Sequence, residues 1–177
     1  MKAMLSTAVG GPETLELTEM EVPQPKKGQV LVRIHAAGLN FPDTLMIRDM
    51  YQFKPPRPFP PGGEISGEVL EVGEGVDNVA SGDRILALTS HGGFATHAVI
   101  DAARAIKIPD AMPYEDAACF IFTYGTSYYA LKDRGYLGEG DTLLILGAAG
   151  GVGSGGVAAS PGHTSPSTLL GSRDFRV

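Results

Sequence analysis

Apolar and polar residues alternate along TLELTEMEVP (Thr14–Pro23) and again along VLVRIHAAGLN (Val30–Asn40), with PQPKKGQ between them as a turn. A period of two places successive side chains on opposite faces of a strand. The run GEISGEVLEVGEGV (Gly63–Val76) reads as a long strand bent at Gly67 and Gly73. Glycines inside such a pattern mark bulges or barrel corners. DRILALT, GFATHAVI and RAIKIP add three short strands. This spacing predicts a partly open, mainly β barrel over residues 1–108. Within it, Met50–Gly63 holds Pro55, Pro56, Pro58, Pro60 and Pro61. That segment is predicted to be an ordered surface loop, because proline cannot donate to a sheet ladder.

The pattern changes at Pro109. DAMPYEDAACF begins a helix, with Pro113 suited to its first turn and Glu115 and Asp116 favourable to its dipole. FTYGTSYYALKDRG continues helically to a stop at Gly135. GEGDTLLILG then reads as a turn and a strand, Leu143–Leu146, apolar on both faces as in a parallel sheet. The first strand and turn of an incomplete α/β domain are thus expected over residues 109–153. After Gly153 the chain becomes rich in Gly, Ser and Pro, and residues 154–177 are expected to be an irregular tail. No apolar helix and no second strand are expected there.

Composition narrows the function. The net charge of −6 argues against a nucleic-acid partner, which would meet a basic patch. No apolar run approaches the roughly 20 residues of a membrane span, and the N-terminus lacks a signal-peptide block. The single Cys119 rules out an intramolecular disulfide framework and suits a reducing compartment. A cytoplasmic protein is the expectation. Gly 24 and Pro 13 are high for the length and fit a turn-rich β architecture.

The most informative motif is GAAGGVG, residues Gly147, Ala148, Ala149, Gly150, Gly151, Val152 and Gly153. It follows a strand directly, with Gly147, Gly150 and Gly153 spaced three apart. Such glycines permit a tight turn and let backbone N–H groups approach a diphosphate at a helix N-terminus. A glycine-rich turn without a ligand has the same pattern.

The segments GLNFPDTLMIRDMY, PPGGEISGEVLEVGEGV, GDRILALT, GGFATHAVI, EDAACFIFTYGTSYYAL and GDTLLILGAAGGVG occur in that order. Together they resemble the medium-chain dehydrogenase/reductase superfamily in its zinc-free quinone oxidoreductase (zeta-crystallin-like) branch, from Met1 to about Gly153. The resemblance implies a GroES-like barrel followed by a Rossmann domain, with the active cleft between them. It also implies NADPH or NADH as cofactor, a small quinone or enone as substrate, and a homodimer for the full-length form. Zinc-dependent relatives carry a Cys and a His where this chain has Asn40 and Gly63, and they carry a four-cysteine lobe that it lacks. A lone Cys119 cannot supply either ligand set. His35, His91, His97 and His163 show no ligand spacing, so no zinc is expected.

The resemblance places Asn40 near the nicotinamide and the substrate oxygen, Tyr51 on the same cleft, and Thr126 against the nicotinamide. Each has a plainer role open to it. Asn40 suits a turn cap before Pro42. Tyr51 suits packing on the proline-rich loop, and Thr126 suits a bond to the carbonyl one turn back. Asp43 and Glu64 read as supporting residues. The family would continue past Gly153 with a small-residue helix, a strand and a polar cofactor reader. The tail is expected to match none of these, as in a truncated or frameshifted frame, so cofactor affinity is expected to be weak. The alternative is a non-catalytic fragment that serves as a structural or interaction module.

Overall fold

The computed structural model describes residues 1–159 and the backbone of 168–170. Its contacts divide the chain into two units, Met1–Cys119 and Phe120–Val177.

The first unit is built on a five-stranded antiparallel sheet. Its strands are β3 (Gln29–Gly38), β4 (Glu64–Val72), β5 (Arg84–Leu88), β6 (His97–Asp101) and β7 (Ala105–Lys107), in the order β6-β3-β4-β5-β7. A separate hairpin pairs β1 (Lys2–Ser6) with β2 (Leu15–Glu19). The alternation read in the sequence selects the faces. Val30, Val32, Ile65, Val69, Ile85, Ala87, Ala98 and Ile100 form the buried core, while Arg33 and His35 point outward. The β3–β4 register shifts twice, between Leu31 and Val32 and between Ile34 and Ala36. Gly67 stands opposite Ile34 at the second shift, and any Cβ there would strike the Arg33 carbonyl oxygen. The expected bend is therefore a close approach of two backbones.

The first unit runs on past residue 108, to Cys119. Helix α2 (Tyr114–Ala117) packs on the barrel strands. Ser66 Oγ donates to the Tyr114 carbonyl at 2.5 Å, and the Tyr114 ring stacks on His35 with centroids 4.3 Å apart. The Arg84 guanidinium also lies over the Tyr114 ring, 4.4 Å from its centroid, and donates to the carbonyls of Pro109, Asp110 and Met112. These bonds hold α2 to the first unit.

The second unit opens with a helical segment of three pieces: a wide-turned Ile121–Gly125, α3 (Thr126–Tyr128) and a wide-turned Tyr129–Arg134. It stops at Gly135, as expected, although not through a left-handed glycine. Gly135 keeps a right-handed φ of −87°, and the left-handed position is Tyr136, at φ 51°. Strand β8 (Leu144–Leu146) follows. Its apolar run predicts cover on both faces, but only Ile145 is buried, while Leu144 and Leu146 are 56% and 61% exposed.

The larger correction concerns the tail. Gly151–Ala159 forms a helix, α4, and Thr168–Leu170 forms β9, parallel to β8. Residues 154–159 and 168–170 are thus regular. The reason lies in packing rather than propensity. A Cβ on Gly151 would come within 2.6 Å of Thr123 Cγ2, and one on Gly155 within 2.9 Å of both the Thr123 carbonyl oxygen and Ser127 Oγ. Glycines that disfavour an isolated helix here let α4 lie directly on its neighbour. Among the described residues, no helix is long and apolar enough to cross a membrane.

Candidate functional site

In the first unit, β3 delivers the chain to α1 (Phe41–Met46), whose N-cap is Asn40. The cap is reciprocal: Asn40 N–H donates to Asp43 Oδ2 at 2.8 Å, and Asp43 N–H donates to the Asn40 carbonyl at 3.0 Å. Asp43 is only 3% exposed and also accepts from Gly62 N–H at 3.2 Å. Burial pushes its carboxyl above the usual aspartate range, opposed by the N–H groups of Asn40, Gly62 and Gly63. The Asn40 side-chain Nδ2 lies 3.4 Å from Oε2 of Glu64, the first residue of β4, which is fully buried. Cys119 is exposed at the end of this unit. Its thiol is pushed up by burial first, then by the charges of Glu64 and Asp116.

Tyr51 stands half-buried just beyond α1, at the start of the proline-rich loop. That loop is ordered, as expected. Arg57 reaches Asp49 Oδ1 at 2.8 Å, the Ile47 carbonyl at 3.0 Å and Ser6 Oγ at 3.3 Å, and lies over the Phe59 ring. Phe53 stacks on His91 at 6.0 Å, and Phe59 meets the same ring edge-on at 5.7 Å. Burial lowers the His91 pKa. The loop bearing Tyr51 is thereby pinned at several points.

In the second unit, Gly147 leaves β8 with φ at 69°, a conformation glycine adopts without strain. Gly150 N–H then donates to the Gly147 carbonyl at 2.9 Å, and Ser154 N–H to the Gly150 carbonyl at 2.8 Å as α4 begins. Gly147 to Gly153 therefore form one strand-to-helix turn. A cavity of about 500 Å³ opens beside it, lined by Leu143–Gly147, Gly150–Gly153, Gly156, Ser127, Ala130 and Leu131. That volume suits a cofactor-sized ligand. The first N–H groups of a helix have no partner within it, and those of α4 suit an anion such as a diphosphate. β8, the glycine turn, α4 and the parallel β9 form a β-α-β unit, the frame on which such turns bind nucleotides.

Thr126 is exposed at the start of α3. The bond to the carbonyl one turn back, open to it from sequence, is made by its neighbour. Ser127 Oγ lies 2.9 Å from the Thr123 carbonyl oxygen and 2.7 Å from the Val152 carbonyl oxygen, sharing one hydroxyl proton between them. Sequence reasoning does not single out Ser127, although its four-residue spacing from Thr123 places both on one helical face. Asn40 and Glu64 are brought together in one unit; Thr126 and the glycine turn share the other. Among the described residues, no group of three or more His, Cys, Asp or Glu is arranged to hold a metal.

Residues 26–110 match the alcohol dehydrogenase GroES-like domain. The chain is 37% identical over 155 residues to the rat synaptic vesicle membrane protein VAT-1 homolog, covering 86% of this chain and 38% of that protein. It is 38% identical over 153 residues to the quinone oxidoreductase-like protein 2 homolog of Nematostella vectensis, covering 86% and 42%. Among solved structures, the quinone oxidoreductase of Thermus thermophilus, studied also as its NADPH complex, is 34% identical with a TM-score of 0.78. That match covers 89% of this chain and 48% of the other. The chain spans about two fifths of the length of these curated relatives.

Proposed function

The chain belongs to the medium-chain dehydrogenase/reductase superfamily, with a GroES-like domain and quinone oxidoreductase-like relatives, and from that premise we propose that it is part of an NADPH-dependent, zinc-free reductase of quinones or activated enones. The observation that carries this reading is the strand, glycine turn and helix at Leu144–Ala159 with its adjoining cavity. The diphosphate would be held by the backbone N–H groups of Gly147–Gly153 and the first turn of α4. NADPH is named before NADH because the similar quinone oxidoreductase of Thermus thermophilus was studied as its NADPH complex.

The cofactor, when bound, supplies the hydride; the protein supplies position and hydrogen bonds. Asn40 is assigned to orient the ligands through its carboxamide, Tyr51 to hydrogen-bond the substrate oxygen, and Thr126 to pack against the nicotinamide. The zinc-free reading is supported by Asn40 and Gly63, neither of which is a thiolate or imidazole ligand. A quinone or enone is already electrophilic and needs less Lewis-acid help than a simple carbonyl. A cytoplasmic location and a homodimer of the full-length form belong to the same reading and rest on the resemblance. The test is NADPH oxidation with 1,4-naphthoquinone as acceptor, run on the wild type and on Asn40→Ala and Thr126→Ala. Both substitutions should lower turnover with little change in Tm. Full activity in both variants would refute the residue assignments. Absence of NADPH binding by the wild type would favour the alternative, a barrel that serves as a structural module.

A further inference from the structure

Asn40 is gripped at two places by two buried carboxylates. Asp43 takes its backbone N–H, and Glu64 faces its side-chain amide. The placement of Glu64 is set by the sheet. It pairs with Gly38 in the β3–β4 ladder, where a Cβ would strike the Ala118 carbonyl oxygen and also come within 3.1 Å of Glu64 Oε2. A residue without a side chain at position 38 leaves room for the carboxylate to reach past β3 towards Asn40.

An ionised carboxylate accepts hydrogen bonds and donates none, whereas a carboxamide has one end of each kind. We propose that Glu64 is a positioning residue for Asn40: it holds the Nδ2 end of the carboxamide, so that Oδ1 and the remaining N–H are the atoms offered to a ligand. This rests on the reading of Asn40 as a ligand-facing residue. The amide would otherwise be free to flip by half a turn, exchanging donor for acceptor at no steric cost. A fixed orientation gives the ligand one hydrogen-bonding pattern to match, and it is already in place before the ligand arrives. Glutamine at position 64 would keep the shape but could accept or donate, so both orientations of Asn40 would become populated.

The test compares the wild-type chain with Glu64→Gln in two measurements. The first is the Asn40 side-chain amide signal by NMR in the ligand-free protein. In the wild type, one Nδ2 proton should be displaced downfield and exchange slowly; in the variant it should return towards the ordinary amide range. The second is NADPH-driven reduction of 1,4-naphthoquinone, where kcat should fall on the order of tenfold or more while Tm is unchanged. Identical Asn40 signals in the two proteins would overturn the proposal, and so would an unchanged kcat in a pair that turns over. If the variant fails to fold, the wild-type signal decides: a freely exchanging, undisplaced Nδ2 proton overturns the proposal. If the signals differ as expected but neither protein oxidises NADPH, the positioning stands and the reductase reading fails.

Discussion

The Ser127 hydroxyl lies 2.7 Å from the Val152 carbonyl oxygen and so ties the helical segment Ile121–Arg134 to the glycine turn. Ser127 is only 3% exposed, and the bond crosses 25 residues of sequence. Replacing it by Ala removes the donor shared by the Val152 and Thr123 carbonyls. The expected loss is about 1 kcal/mol of stability. Urea unfolding of Ser127→Ala should show it. An unchanged midpoint would mean that this hydroxyl does not join the two segments.

Gly155 supplies a sharper test of that interface. A Cβ there would fall 2.9 Å from the Thr123 carbonyl oxygen and from Ser127 Oγ. Gly155→Ala would gain helix propensity yet crowd the contact, and overpacking commonly costs about 1–3 kcal/mol. The variant should be less stable than the wild type by urea unfolding. A more stable variant would mean that α4 is not seated as described.

These two residues also mark where the fold ceases to be legible in the sequence. The barrel strands are legible because one face of each is buried, and alternation records that directly. Asn40 and the glycine turn are legible as motifs. Helix α4 is not, because SGGVAAS scores poorly on propensity and its stabilising feature is the absence of side chains against Thr123 and Ser127. Strand β9 is hidden with it, since a three-residue strand gives too short a pattern to read. Glu64 reads as a supporting residue, but its contact with Asn40 depends on the β3–β4 register, which periodicity does not fix.

Glu64→Gln should change the chemistry of Cys119. The thiol is held above its ordinary pKa by burial first and by the Glu64 and Asp116 charges after it. Removing the Glu64 charge should lower that pKa and raise the thiolate fraction at a fixed mildly alkaline pH. Alkylation of Cys119 by iodoacetamide should therefore be faster in the variant. An unchanged rate in a folded variant would show that Glu64 carries no charge.

Asp83 and Lys107 meet at the sheet edge beside β5 and β7, with Nζ 2.7 Å from Oδ2. The hydrogen bond from Lys107, with the Ala80 N–H beside it, holds the Asp83 carboxyl below its ordinary pKa. A depressed folded-state pKa contributes stability that is present above the unfolded value and lost as pH falls through the folded one. Lys107→Ala should therefore reduce the acid-side slope of unfolding free energy against pH. Asp43 acts in the opposite sense: its raised pKa makes a contribution that is present at low pH and lost as pH rises through the folded value. Urea unfolding across the acid range, with and without Lys107→Ala, checks the sign.

If Gly147–Gly153 is a nucleotide-binding turn, its backbone amides report it most directly, followed by NMR during titration of the chain with NADPH. Saturable shifts should centre on Gly147–Gly153 and the first turn of α4, with NADH giving weaker shifts at the same amides. Amides that stay in place throughout the titration up to millimolar NADPH, or shifts confined to other parts of the chain, would contradict the nucleotide-binding role.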